Sequence, residues 1–258
     1  MDKIKISQCK LRISQKKFRT FQKMHGLSDY KNPNKPTFFY GLYRKDVELM
    51  EKHKSLLVLI WRGSDIFQPG HLEAAKKTKT NVKHVAISSF ICKDLDEAGI
   101  KYTYLPIVGR PVADLKPKPL GNEIYVYLPE TRHDFFNADI VNQIKKRCKY
   151  KVNIATHINH YSRKKLIKVY KRCFCGIRLS NHDGLPNQVI EMGLMGRKCI
   201  HNGDLPGSIH WDKNNIDSIV DSINNEAKFI GETNKKLYKK TKKLIDIGEQ
   251  WLYTDYWK

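Results

Sequence analysis

Long apolar runs are missing from this chain. No stretch of about 18 uncharged apolar residues occurs, so no segment reads as a membrane-spanning helix. The opening MDKIKISQCKLRISQKKF holds no apolar stretch of the length a secretory signal needs, so a cytoplasmic protein is expected. Cysteine is sparse and scattered, with six residues at 9, 92, 148, 173, 175 and 199. Only Cys173 and Cys175 are close, one residue apart in a strand-like run. That is not a zinc spacing, and reduced thiols are expected. There is no G-x-x-x-x-G-K-[ST] loop, which argues against a nucleoside triphosphatase. There is no G-x-G-x-x-G after the first strand, which argues against a dinucleotide-dependent dehydrogenase. D-x-D occurs at Asp94–Asp96, inside a predicted short surface helix, and no metal site is expected.

Acidic residues are also scarce. The chain has 26 Asp and Glu against 48 Lys and Arg, a formal charge of +22. Between 140 and 182 there are twelve Lys and Arg and no acid. The excess has two readings. Asn and Ile are abundant too, so it fits the lysine-rich composition of a low-GC or viral source. It also fits a polyanionic partner: nucleic acid, an anionic membrane face met peripherally, or a phosphorylated ligand.

The 258 residues allow one large domain or two modest ones, and 40% apolar content supports a real core. Residues 1–36 are basic and read as a separate segment. From 37, strands alternate with short helices: TFFYGLY, SLLVLIW, VKHVAISS and KYTYLPIV against RKDVELMEKH, HLEAAKKT and ICKDLDEAG. GRPVADLKPKPLGN, at 109–122, interrupts this as a Pro/Gly-rich linker. The alternation then resumes through EIYVYLP, ADIVNQIKKRC, KYKVNIATH, SRKKLIKVYKRC and FCGIRLS. The expected fold is therefore α/β, with two Rossmann-like parallel-sheet domains facing across a cleft, the N-terminal one small. The expected divisions are 1–36, 37–115, 116–235 and 236–258, the last a helical tail crossing back to the first domain.

The most informative stretch is GIRLSNHDGLPNQVIEMGLMGRKCI, 176–200. A strand over 174–180 leads through the turn NHDG into a helix from about 185. A helix start offers unpaired N–H groups and the positive end of a dipole, which suit an anion such as a diphosphate. Gly184 lets the backbone approach closely, and Pro186 suits a first helical turn. Glu191 lies about two turns in, where a carboxylate can accept from a vicinal diol such as a ribose.

This stretch resembles the donor-binding segment of GT-B glycosyltransferases, in which two acids eight positions apart flank the sugar nucleotide. Asp183 and Glu191 stand at that separation, with Asp in place of the usual first Glu. The resemblance covers most of 122–227. It implies that Glu191 holds the ribose, while Asp183, Gly184, Leu185 and Pro186 lie beside the sugar and diphosphate. The first half resembles the family less sharply: Trp61-Arg62-Gly63-Ser64-Asp65 stands where some members read W-G-G-[ST]-D, with Arg62 replacing a glycine. The implied function is transfer of a sugar from a nucleotide-diphosphate donor to a hydroxyl acceptor, without a metal. Arg178 and Arg132 are the candidates for phosphate contact, and Asp65 for orienting or deprotonating the acceptor. His182 is placed beside the sugar, and His133 and His157 near strand ends. A saccharide or lipid-linked acceptor is preferred. The alternatives are a viral enzyme acting on a hydroxylated DNA base, and a non-catalytic nucleic-acid-binding α/β protein.

Overall fold

The computed structural model describes residues 3–11, 18–78, 81–156, 158–159, 161–246 and 248–258. The chain divides into two compact units. One comprises Met1–Pro111, Asp183–Leu185 and Ile245–Lys258; the other comprises Val112–His182 and Pro186–Leu244.

In the first unit the elements are β1 (Gln8–Lys10), α1 (Phe18–Met24), β2 (Ser28–Asp29), β3 (Thr37–Tyr40), α2 (Asp46–Glu51), β4 (Leu57–Trp61), α3 (His71–Lys77), β5 (Val82–Ala86), α4 (Ser89–Glu97) and β6 (Tyr102–Tyr104). The strands form one parallel sheet in the order β2-β1-β3-β4-β5-β6. Alternate side chains serve opposite faces, as the period of a strand dictates. Val58 and Ile60 join Phe38, Tyr40 and Val85 on one side. Leu57, Leu59 and Trp61 join Phe39, Ala86 and Leu95 on the other. Both faces are therefore apolar, which is why β3 and β4 read as dense apolar runs.

Residues 1–36 are not a separate basic segment. Strands β1 and β2 belong to this sheet, and Ile6, Cys9, Phe21 and Leu27 are buried in its core. Their apolar positions are few and spaced among lysines, so the composition hides them. The end of the chain completes the same core. Trp251, Leu252 and Trp257 are buried against Ile6, Phe21 and Phe38. Ile6 N–H donates to the Leu252 carbonyl at 2.7 Å and Thr254 N–H to that of Ile4 at 2.9 Å. Trp251→Ala is expected to destabilise by about 3–5 kcal/mol, as for other large aromatics truncated in a core. The midpoint of denaturant unfolding measures it, and an unchanged midpoint would show the tail to be accessory.

This unit also carries an acid-sensitive contact. Trp61 Nε1 donates to His84 Nδ1 at 3.2 Å, which requires a neutral imidazole. Burial lowers the His84 pKa to about 4 from 6.5. The unfolded chain therefore binds this proton more readily than the folded one. The stabilisation is fully present above pH 6.5 and is lost as pH falls towards 4. Its upper limit is about 3 kcal/mol. His84→Gln, which keeps an acceptor but does not titrate, is expected to flatten unfolding stability over that window.

In the second unit the elements are β7 (Glu123–Tyr127), α5 (Ala138–Arg147), β8 (Val152–Ala155), α6 (Arg163–Arg172), β9 (Cys173–Ile177), α7 (Asn187–Leu194), β10 (Lys198–Ile200), β11 (Ser208–Ile209), α8 (Ile216–Ala227) and α9 (Lys235–Ile245). The sheet is again parallel, in the order β11-β10-β9-β7-β8. Right-handed crossovers put α6 and α7 on one side and α5 on the other, where it packs with α8. The proposed linker 109–122 is not an open tether, and the division falls at 111/112 instead of 115/116. Leu115 and Leu120 are buried, and Leu120 N–H donates to the Glu232 carbonyl at 2.8 Å. Nor does 236–258 form one tail. Helix α9 packs on the second unit up to Leu244, and the chain from Ile245 onward joins the first.

Helix α7 is buried from Gln188 to Leu194. An all-round apolar helix needs cover on every side. Helix α9 supplies one flank: a Cβ at Gly193 would stand 2.7 Å from Thr241 Oγ1, so only glycine permits this approach. On the other flank, the buried Arg197 guanidinium ties the end of α7 to the end of α6 through backbone carbonyls.

Candidate functional site

The helix expected from about 185 begins at Asn187, because Asp183–Leu185 packs with the first unit instead. Glu191 thus lies just over one turn in, not two. Pro186 occupies the cap position and makes no side-chain capping bond, and no acid lies in the first turn. By contrast Ser88, Ser162 and Asn215 cap α4, α6 and α8. Asn187 is exposed while Pro186 and Gln188 are buried. The first-turn amides of α7 have the positive electrostatic character of a helix start without a side-chain cap. Gln188 Nε2 donates to the Ile177 carbonyl at 3.1 Å, and its buried Oε1 has no partner among the described residues.

Glu191 is 1% exposed. Such burial is costly for an acid unless a cation or hydrogen-bond donors compensate it. The cation is Arg163, at the first position of α6, whose Nη1 donates to Glu191 Oε1 at 2.5 Å. The other end of the same guanidinium donates to Asp114 Oδ1 at 2.9 Å. Asp114-Arg163-Glu191 is therefore a chain of charges with its innermost member in the core.

Around it stand tyrosines from the first strand of the unit. Tyr125 is buried, and its hydroxyl pKa is raised first by burial and then by the nearby Glu191 carboxylate, with Arg178 opposing. Tyr127 is raised by burial and drawn back by Arg178 and Arg132. The two predicted arginines thus converge on Tyr127. Arg178 lies one residue past β9, its guanidinium 5.2 Å from the Phe136 ring centroid. Arg132 is exposed and stacks 4.0 Å from the Phe135 centroid. Glu191 thus neighbours Tyr125, and Arg178 and Arg132 neighbour Tyr127, two residues further along β7.

Asp65, Asp183, Gly184 and Leu185 belong to the first unit. Asp65 is wholly buried, and its carboxylate accepts from the N–H of Leu42 at 3.2 Å and of Arg62 at 2.9 and 3.1 Å. Burial raises its pKa and those amides pull it back. It folds the 62–65 turn and ties it to the end of β3. Asp183 accepts from Ser88 Oγ at 2.9 Å through its backbone carbonyl, and its side chain is half-buried, as is that of His182. Leu185 packs against the first unit's core. Gly184 lies on the 62–63 turn: a Cβ there would overlap the Arg62 carbonyl oxygen, and one at Gly63 would stand 3.3 Å from Gly184 N. Backbone meets backbone, so neither side can yield. Gly184→Ala is expected to displace the 183–185 segment and lower the unfolding midpoint. A circular-dichroism melt equal to wild type would contradict that close approach. His133 is exposed, and His157 lies outside the described residues.

Arg163, Asp114, Tyr125 and Tyr127 were not singled out from the sequence. Arg163 opens a run of three basic residues, and nothing local separates it from Lys164 and Lys165. Only the packing of α6 beside α7 does. Among the described residues no three His, Cys, Asp or Glu side chains group as metal ligands, and no helix is long and apolar enough to cross a membrane.

The fold is that of GT-B glycosyltransferases. The chain is similar to TarM of S. aureus, a mutant solved in complex with Fondaparinux, alpha-GlcNAc-glycerol and UDP, at TM-score 0.61 and 12% identity over 93% of this chain and 57% of that one. It is similar to sucrose-phosphate synthase from Thermosynechococcus elongatus, at 0.59 and 9% over 91% and 73%. It is similar also to the lipopolysaccharide outer core galactosyltransferase WaaB in its apo form, at 0.54 and 11% over 87% and 82%. The chain thus spans little more than half the length of TarM. No protein-family model matches the sequence, and no curated protein matches it.

Proposed function

We propose that the protein is a glycosyltransferase that takes a sugar from a nucleotide-diphosphate donor and passes it to a hydroxyl acceptor, saccharide or lipid-linked. The observation that carries this reading is a nearly inaccessible carboxylate, Glu191, on a helix whose start no side chain caps, held by Arg163 and neighbouring Tyr125. The neighbouring folds of TarM, with UDP bound, and WaaB, a galactosyltransferase, support it.

In this reading the first-turn amides of α7 take the diphosphate. Arg178 and Arg132 stabilise the charge that builds on it as the glycosidic bond breaks. Glu191 accepts from the ribose hydroxyls, and Arg163 fixes its rotamer. Asp183 and His182 stand beside the sugar. Asp65 acts as a positioning residue, since its oxygens are engaged by backbone amides. The test is a thermal-shift panel of UDP-, GDP-, ADP- and TDP-sugars. One donor is expected to raise the midpoint, since a hundredfold excess over its Kd adds about 2–3 kcal/mol of stability by linkage. No shift with any of them would remove the reading.

A further inference from the structure

The proposed donor site does not involve α9, a strongly basic helix of the second unit. Helix α9 carries six exposed lysines, Lys235, Lys236, Lys239, Lys240, Lys242 and Lys243, and no acid lies between Glu232 and Asp246. At about 100° per residue these lysines cover a stripe roughly 160° wide. The opposite side of the helix is engaged: Leu237 and Thr241 are buried, against Gly207 and Gly193. Helix α6, which also flanks α7, exposes Lys164, Lys165, Lys168 and Lys171.

At one end this basic face becomes apolar. Phe229 is 45% exposed and Ile230 39%, in the connection between α8 and α9. Their position is fixed by the backbone. Gly231 N–H donates to the Leu120 carbonyl at 2.9 Å, Leu120 N–H returns to Glu232, and Gly121 N–H donates to Cys173, just past the end of α6. The connection that carries Phe229 and Ile230 is therefore tied through Leu120 and Gly121 to the residue that follows Lys171 and Arg172, and it leads into Lys235 and Lys236.

We propose that this end of the second unit docks on the surface of an anionic lipid bilayer, with the Phe229–Ile230 pair entering the interface and the lysines meeting headgroup phosphates. Two features favour lipid over nucleic acid. The stripe on α9 is lysine only, a set of point charges without the planar forks that read phosphate and base geometry. An exposed aliphatic and aromatic pair gains from an acyl boundary, whereas a phosphate backbone offers it nothing. The docking stands independently of the donor site.

The experiment is flotation of the full chain with vesicles of phosphatidylcholine plus phosphatidylglycerol, with phosphatidylcholine alone, and, in parallel, titration with duplex DNA. Binding is expected only to the anionic vesicles. Each lysine near such a surface contributes about fivefold, so changing Lys235, Lys236, Lys239 and Lys240 together to Gln should weaken partition more than a hundredfold. Phe229→Ser with Ile230→Ser should weaken it about tenfold, a loss that persists in high salt. All these positions are exposed, and an unchanged melting midpoint verifies the fold. Should the quadruple variant fail to fold, Lys239→Gln with Lys240→Gln carries the test, with about a twenty-fivefold loss expected. Equal binding to neutral vesicles, indifference to either set of substitutions, or binding to DNA in place of lipid would each overturn the proposal.

Discussion

Glu191→Ala is expected to weaken binding of the preferred sugar nucleotide by about 10- to 150-fold, the worth of one charge-assisted hydrogen bond to a ribose hydroxyl. The same substitution should cost the fold little. The cation it strands, Arg163, has a side chain 31% exposed and can turn to water or keep Asp114. The reverse change is not equivalent. Arg163→Met breaks the ion pair of a carboxylate 1% exposed, and removing one member of a buried pair is costly. Arg163→Met should therefore lose both nucleotide affinity and unfolding stability, by about 2–3 kcal/mol in the latter. If Arg163 acts by holding Glu191, the double variant binds nucleotide no worse than Glu191→Ala alone. Additive losses in calorimetry would show instead that Arg163 contacts the ligand on its own.

The second large effect concerns stability. Arg197 is buried with no acid paired to it among the described residues, and its guanidinium donates to six backbone carbonyls: Lys118 at 2.9 Å, Pro119 at 2.6 Å, Tyr170 at 3.1 Å, Lys171 at 3.2 Å, Cys173 at 3.1 Å, and Met195. Several of these are the orphan acceptors at the ends of α6 and α7, where a cation is favoured. Burial lowers its pKa to about 10, which leaves it charged at neutral pH. Arg197→Met removes every donor at once and is expected to cost on the order of 4 kcal/mol. Arg197→Lys keeps the charge but has three donors and no plane, and should lose about half as much. Because Arg197 joins the helices that carry Arg163 and Glu191, the Met variant should also bind nucleotide more weakly, even at temperatures where it remains folded. A melting midpoint within experimental error of wild type for Arg197→Met would show that water replaces the guanidinium.

Much of this is legible in the sequence. Strands β3 to β5 and β7 to β9 are signalled by apolar positions at regular spacing, and right-handed crossover then leaves few ways to order them. Glu191 stood out as an acid in an apolar helix, and its burial follows from the company it keeps. What could not be read depends on partners distant in sequence. Strands β1 and β2 are three and two residues long and gain their identity only by pairing beside β3. The tail's place in the first core rests on Trp251 and Trp257 meeting Ile6 and Phe21 across the whole chain. Arg163 and Arg197 look like any other basic residue among 48. One is singled out by a carboxylate 28 positions away, the other by carbonyls up to 79 positions away. Asp65 illustrates the opposite limit: its loop position suggested chemistry, and its geometry shows it satisfying backbone amides.

The most direct measurement is a crystal structure of the chain soaked with the nucleoside diphosphate that gives the largest thermal shift. The account predicts pentose hydroxyls within hydrogen-bonding distance of Glu191 and phosphate oxygens on the first-turn amides of α7, near Arg178. A nucleotide bound elsewhere, or one whose ribose leaves the Glu191–Arg163 pair untouched, would contradict it.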